Sequence, residues 1–200
     1  MNPKKIFTFI IILGLVLFAF FTYFFFVQAT REPRLPALGL VHPFSLSDSK
    51  NQIFNSEKLH GRVWIADFFF TTCSDICPMM SKHMASLQRS FDLERDVYLV
   101  SFTVNPEYDS PDVLKNYSQK FKANTKKWVF LTGSREAITE VAVKSFKLGD
   151  IKEPVFHSSY FTLVDRYGFI RGYYDGTNQE DINRLFKDTA RLLKESRLGF

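Results

Sequence analysis

Residues Val63–Pro78 read VWIADFFFTTCSDICP. The first part, Val63 to Phe70, is an almost continuous apolar run rich in β-formers, the pattern of a strand buried on both faces. Cys73 and Cys77 follow, and then Pro78, which suits a first helical turn because its missing N–H is no loss there. From Cys77 to Phe91 the spacing becomes helical, with Met80, Met84 and Leu87 on one stripe. A buried strand that runs into two thiols and then opens a helix puts those thiols at the strand's carboxyl end. Open α/β sheets favour that edge for ligand and cofactor sites.

Outward from this unit the chain alternates strands with helices. Val97–Val104 (VYLVSFTV) predicts a second buried strand. Ser110 as N-cap with Pro111 at the first helical position predicts a helix running to about Phe121. Trp128–Leu131 predicts a short strand, and Ser134 caps a helix over Arg135–Phe146. Ser159–Val164 and Phe169–Tyr174 predict a hairpin across Asp165-Arg166-Tyr167-Gly168. Thr177 or Asn178 then caps a last amphipathic helix, with Ile182, Leu185, Phe186 and Leu192 facing inward. Upstream, Pro43–Leu46 and Gln52–Phe54 predict a small opening hairpin. Strands separated by helices and closed by a hairpin and one helix give an α/β class with the thioredoxin-like order; ferredoxin-like and flavodoxin-like orders fit less well.

The amino-terminal part differs in composition. Many of the 23 phenylalanines fall among the first 26 residues, and the run from Ile6 to Val27 carries no charge. At about 1.5 Å per residue it is long enough to cross a hydrocarbon core of roughly 30 Å. Lys4 and Lys5 precede it and favour a cytoplasmic amino terminus, against the weaker opposing signal of Arg31 and Arg34. Val27-Gln28-Ala29 resembles a cleavage site, but the apolar run exceeds the ~7–15 residues of a signal-peptide core, which favours a retained anchor. The expected organisation is a cytoplasmic end over 1–5, a transmembrane helix over 6–27, a Pro- and Arg-rich tether over 28–41 and an exported domain over 42–200. The net charge of +5 is scattered among acids and excludes a nucleic-acid stripe.

Cys73 and Cys77 are the chain's two cysteines. In an exported protein a single pair four residues apart is no disulfide scaffold, and so short a loop contributes little chain entropy, so chemistry is the better explanation. The positive end of the helix favours thiolate over thiol, and two thiolates suit a soft ion, above all Cu(I). The pair is therefore fit for metal binding, disulfide exchange or switching between them. His157, just before a predicted strand, is the third candidate. In a thioredoxin-like fold its loop lies beside the redox helix, and two Cys with one His suit Cu(II) as well as Cu(I). His83 is expected at the surface, and His42 and His60 have no partner in sequence. Met79 and Met80 directly follow the cysteines; a soft thioether is able to assist copper, but methionine on a helix is usually core filling. Asp75 reads equally as a helix-start acid or an acceptor beside the site. A peroxidase is disfavoured because Phe70 stands three residues before Cys73, where such a site has Thr or Ser.

The segments GRVWIADFFFTTCSDICPMM, SFTVNPEYDSPDVLKNY, WVFLTG and HSSYFTLVDRYGFIRGYYDG together resemble the Sco/SenC family of copper-binding assembly factors for cytochrome c oxidase, over Gly61 to about Gly176. The resemblance implies a thioredoxin-like fold, one amino-terminal membrane anchor and a copper site made by Cys73, Cys77 and His157. It further implies delivery of copper to the CuA site of the oxidase, or reduction of cysteines in a partner such as the CuA subunit, by a domain facing the periplasm from the inner membrane or standing on an equivalent extracytoplasmic side. One departure is visible: Asn105 stands where the family commonly has Asp.

Overall fold

The computed structural model describes residues 3–29, 33–148 and 159–197 and forms two compact units, 1–34 and 35–200. The first unit is a single helix, α1 (Pro3–Ala29), with mean hydropathy 2.7 over Phe9–Phe26. Its length and composition are sufficient to cross a membrane.

The second unit is built on an eight-stranded sheet. Its strands are β1 (Gly39–Leu40), β2 (Ser45–Asp48), β3 (Ile53–Asn55), β4 (Val63–Phe69), β5 (Val97–Thr103), β6 (Trp128–Thr132), β7 (Tyr160–Val164) and β8 (Phe169–Asp175), in the spatial order β1-β8-β7-β4-β5-β6-β2-β3. β4, β5 and β6 are parallel, with Val63 opposite Val97 and Leu99 opposite Trp128. The β7–β8 and β2–β3 hairpins flank them antiparallel. All seven residues of β4 are buried, as its unbroken apolar run requires.

Parallel neighbours need crossovers. These are α2 (Ile76–Ser90) between β4 and β5, and α3 (Pro111–Lys120) between β5 and β6. Ser110 caps α3 as expected, its Oγ accepting from Val113 N–H. α5 (Gln179–Arg197) closes the fold, and the Asn178 side chain accepts from the N–H groups of Glu180 and Asp181 at its start. α2, α3 and α5 cover one face of the sheet, around Met80, Met84, Leu114, Tyr117, Ile182 and Leu185.

The other face is covered by α4 (Arg135–Glu140) and a 3-10 turn (Ser56–Leu59). The helix expected over 135–146 is α-helical only to Glu140 and continues as a wider π turn over Val141–Ser145. That turn delivers Phe146, fully buried, into ring contact with Trp64, Phe68 and Phe102. The turn between β7 and β8 needs Gly168, whose φ is +85°, while Asp165 Oδ1 accepts from the N–H groups of Tyr167 and Phe169.

Residues from Leu35 on, expected within the tether of 28–41, make contacts of the domain. Leu35 packs against the core, its carbonyl accepts from Arg171, and β1 pairs with β8 through Gly39 opposite Ile170. Arg171 is itself held by Asp165 at 2.9 Å, both largely buried. Leu35 is apolar and Leu38–Leu40 have a partner strand, so these residues belong to the domain in spite of their Pro-rich surroundings.

Candidate metal and redox centre

β4 ends at Phe69, and a turn closed by Cys73 N–H on the Phe70 carbonyl (3.2 Å) carries the chain to α2. Cys73 lies in this turn and not on the helix, which starts at Ile76. The two thiols therefore meet because a loop folds Cys73 back over the first turn of α2, not because four residues of helix place them on one face. Both cysteines are free; Cys73 is partly exposed and Cys77 is buried.

Their surroundings make them unequal. Burial would raise the Cys73 thiol, but it is overcome by the Cys77 thiol and the backbone N–H groups of Cys77, Asp75 and Ile76, all donating to Cys73 Sγ, and its pKa falls below the ordinary value. Burial pushes the Cys77 thiol up to about 12, helped by its bond to Cys73 and the negative charges of Cys73 and Asp67 and opposed by the N–H of Phe70. The favourable potential of the helix start is thus delivered to one sulfur only. The backbone of Phe70 touches both cysteines, its carbonyl at Cys73 and its N–H at Cys77.

Behind the pair lies a polar chain that the apolar look of VWIADFFF conceals. Trp128 Nε1–H donates to Ser101 Oγ (2.8 Å), which donates to Asp67 Oδ1 (2.5 Å). Burial pushes Asp67 up to about 7, although the Ser101 hydroxyl and its own N–H favour the charged form. Ser81 and Tyr117 share a hydrogen bond of 2.9 Å on the same side, and burial raises the Tyr117 phenol. Asp67 is the signal that sequence reading passed over: an acid inside a strand buried on both faces has to be neutral or paired.

Among the described residues no group of three or more His, Cys, Asp or Glu side chains is arranged to hold a metal ion. His157 lies outside the described residues. His83 is half-buried on α2, and burial lowers its pKa. His42 and His60 are exposed and line a cavity of about 310 Å³ beside Trp64, near the start of β4 and so at the opposite end of that strand from the thiols. Met80 is fully buried core, while Met79 is exposed. Asp75 occupies the N-cap position of α2 without a side-chain capping bond; its contribution to the site is its backbone N–H. The donor set that is described, one activated sulfur beside one protonated sulfur, fits a soft thiophilic ion once Cys77 gives up its proton.

A thioredoxin-like sheet with a CxxxC pair at the carboxyl end of its central strand defines a class of dithiol proteins. The SCO1/SenC family profile matches residues 33–194, and the chain belongs to this family. It is 38% identical over 163 residues to the SCO1 protein homolog of Bacillus subtilis, covering 77% of this chain and 84% of the relative. The crystal structure of a SCO1/SenC family lipoprotein from Bacillus anthracis superimposes with TM-score 0.72 at 34% identity, covering 81% of this chain and 99% of that one. BsSco, a member of the Sco family of cytochrome c oxidase assembly proteins in which a disulfide switch has been identified, gives TM-score 0.71 at 36% identity, covering 81% and 98%. ScoI of Arabidopsis thaliana with copper bound gives 0.63 at 26% identity, covering 76% and 99%.

Proposed function

We propose that this chain is a membrane-anchored copper carrier that holds copper between Cys73, Cys77 and His157 and delivers it to the CuA site during assembly of cytochrome c oxidase. α1 is the single anchor of the inner membrane, and the domain stands on the periplasmic or equivalent extracytoplasmic side. The client is the CuA subunit or another copper protein. The observation that carries the reading is the meeting of two free thiols at the carboxyl end of β4, one partly exposed and with a lowered pKa.

The sheet register supports His157 as third ligand. β7 runs antiparallel to β4, with Ala66 opposite Thr162, so the start of β7 lies toward the thiol end of β4. Ser159, two residues after His157, accepts from Gly176 N–H at 2.6 Å, and a Cβ on Gly176 would stand 3.1 Å from Met80 of α2. The chain thus enters β7 beside the helix that carries Cys77. Copper in its Cu(I) or Cu(II) state suits two sulfurs and an imidazole.

Loading copper between both sulfurs expels the proton held by Cys77, so binding weakens as pH falls. Copper titration of the reduced full-length chain tests the proposal. Binding is expected in the wild type, to be lost in Cys73→Ser and Cys77→Ser, and to be weakened in His157→Ala. Binding that survives Cys73→Ser sinks the reading.

A second reading, thiol–disulfide exchange on cysteines of a partner, is favoured by the inequality of the pair. An accessible sulfur of lowered pKa attacks and a buried neighbour resolves. Replacing His157 separates the two: loss of the cellular role in His157→Ala with thiol exchange intact favours the carrier, and a retained role favours the reductase.

A further inference from the structure

The geometry points to Asp109 as a positioning residue that sets the balance between dithiol and disulfide at Cys73 and Cys77, by holding the turn that carries Cys73. The inference rests on the reading that this pair is the working centre, but it needs no copper.

Asp109 sits in the loop after β5 and is completely buried. Its carboxylate accepts from Thr71 N–H at 3.1 Å, from the Thr71 hydroxyl through its other oxygen, and from the Thr103 hydroxyl at 2.5 Å. Thr103 Oγ1 in turn accepts from Asn105 N–H at 3.0 Å, and the Asn105 carbonyl accepts from the N–H groups of Tyr108 and Asp109. The acid is therefore fixed by its own loop and reaches across to the loop of the thiols. The Thr71 N–H belongs to the same planar peptide unit as the Phe70 carbonyl, and that carbonyl accepts from Cys73 N–H. Asp109 grips one side of that plane and the Cys73 backbone the other. Turning the plane moves Cys73 out of the line of the Asp75, Ile76 and Cys77 N–H groups that face its sulfur.

The clamp favours the dithiol. In that form Cys73 Sγ receives those N–H groups and the Cys77 thiol. On oxidation the two thiols give two electrons and two protons to a small-molecule disulfide, which leaves as a dithiol; one S–S bond forms, and Cys73 Sγ exchanges the contacts of those donors for a bond to Cys77. The bonds that Asp109 accepts from Thr71 and Thr103 hold the reduced arrangement ready. Weakening them moves the equilibrium toward disulfide.

The test equilibrates the full-length chain in detergent, with a metal chelator, against mixtures of reduced and oxidised dithiothreitol, and reads the protein's disulfide-to-dithiol ratio by alkylation and mass. Asp109→Asn is expected to raise that ratio about tenfold, a potential change of roughly 30 mV, since its amide nitrogen cannot accept the bonds that one of the two carboxyl oxygens accepts. Thr71→Val, which keeps the N–H and loses the hydroxyl, is expected to fall between it and the wild type, and Thr71→Ser to restore the wild-type ratio. Phe102→Ala, on the opposite face of the sheet, is expected to lower stability without moving the ratio. A wild-type ratio in Asp109→Asn overturns the inference, and so does an equal shift in Phe102→Ala, which would make the effect one of stability alone. If Asp109→Asn does not fold, Thr71→Val decides, and a wild-type ratio there overturns the inference. Failure of copper to bind the wild type would refute the carrier reading and leave this measurement standing.

Discussion

On one face of the sheet Trp64, Phe68, Phe102 and Phe146 pack ring on ring, Phe68 stacked on Phe102 at 4.9 Å, with Phe44 edge-on to Phe102 at 5.3 Å. On the other face the same two strands place Asp67, Ser101 and Thr103 among Ile65, Phe69 and Leu99. Strand alternation puts the polar residues on the side of α2, under the thiols, and none of the central residues of β4 or β5 on the aromatic side is polar. The aromatic face is free to be filled for packing alone. The thiol face gives up apolar contact for hydrogen-bonded groups whose positions are fixed by direction as well as by volume. Stability and site chemistry are thus separated by the thickness of one sheet.

Phe102→Ala tests the first half of this contrast and carries the largest expected effect on stability. It opens a cavity between Phe68, Phe44 and Phe146 and should cost about 3–5 kcal/mol in urea unfolding, with the thiols as reactive as in the wild type. Altered alkylation of Cys73 in a folded Phe102→Ala protein would show that the faces are coupled.

Asp67→Asn tests the second half. The folded chain holds Asp67 protonated up to about pH 7, against an ordinary value of 3.8. Between these values the folded state binds a proton that the unfolded state has released, so the contribution of Asp67 to stability is fullest below about pH 4, declines as pH rises to 7 and then levels off. Asp67→Asn removes this slope and leaves the variant more stable than the wild type at pH 8 by on the order of 2–4 kcal/mol. An unchanged slope would mean that Asp67 is not the group responsible.

This separation of faces was only half visible in the order of residues. Periodicity gave the strands and helices from Val63 to Leu131 because each has a buried side set by local pattern, and Ser110 and Ser134 marked their helix starts by capping chemistry alone. The entry of the domain at Leu35 was hidden because a two-residue strand has no period, and its partner, Ile170, lies far along the chain. The π turn was hidden because nothing in the local pattern of Val141–Ser145 distinguishes it from an α-helix, and the contacts of Phe146 with Trp64 and Phe102 that follow it are distant in sequence. At the site, the nearness of Cys73 and Cys77 in sequence marked the pair, whereas the loop that folds Cys73 back over the helix start, and the inequality of the two sulfurs, were not legible. It depends on which sulfur faces the N–H groups of residues 75–77 and which faces the core, and that is decided by a turn held from Asp109, 36 residues beyond Cys73 in the sequence.

The smallest effect gives the sharpest comparison. Ser110 and Ser134 make the same kind of cap, with Oγ accepting from Val113 N–H at 3.4 Å and from Ala137 N–H at 3.2 Å. α3 packs on the thiol face through Leu114 and Tyr117, and α4 on the aromatic face through Ile138. Ser110→Ala and Ser134→Ala should each cost about 1 kcal/mol in thermal or urea unfolding, the ordinary value for a lost serine cap. In stability the two are twins. Ser110, however, is bonded to Asp109 along the chain, and its N–H is tied to the Tyr108 carbonyl in the loop that positions that acid. Loosening it should raise the disulfide-to-dithiol ratio about twofold, a fraction of one hydrogen bond, while Ser134→Ala leaves the ratio where it is. If both substitutions moved the thiols alike, the faces would be one cooperative core, and the polar side would hold no separate control over Cys73.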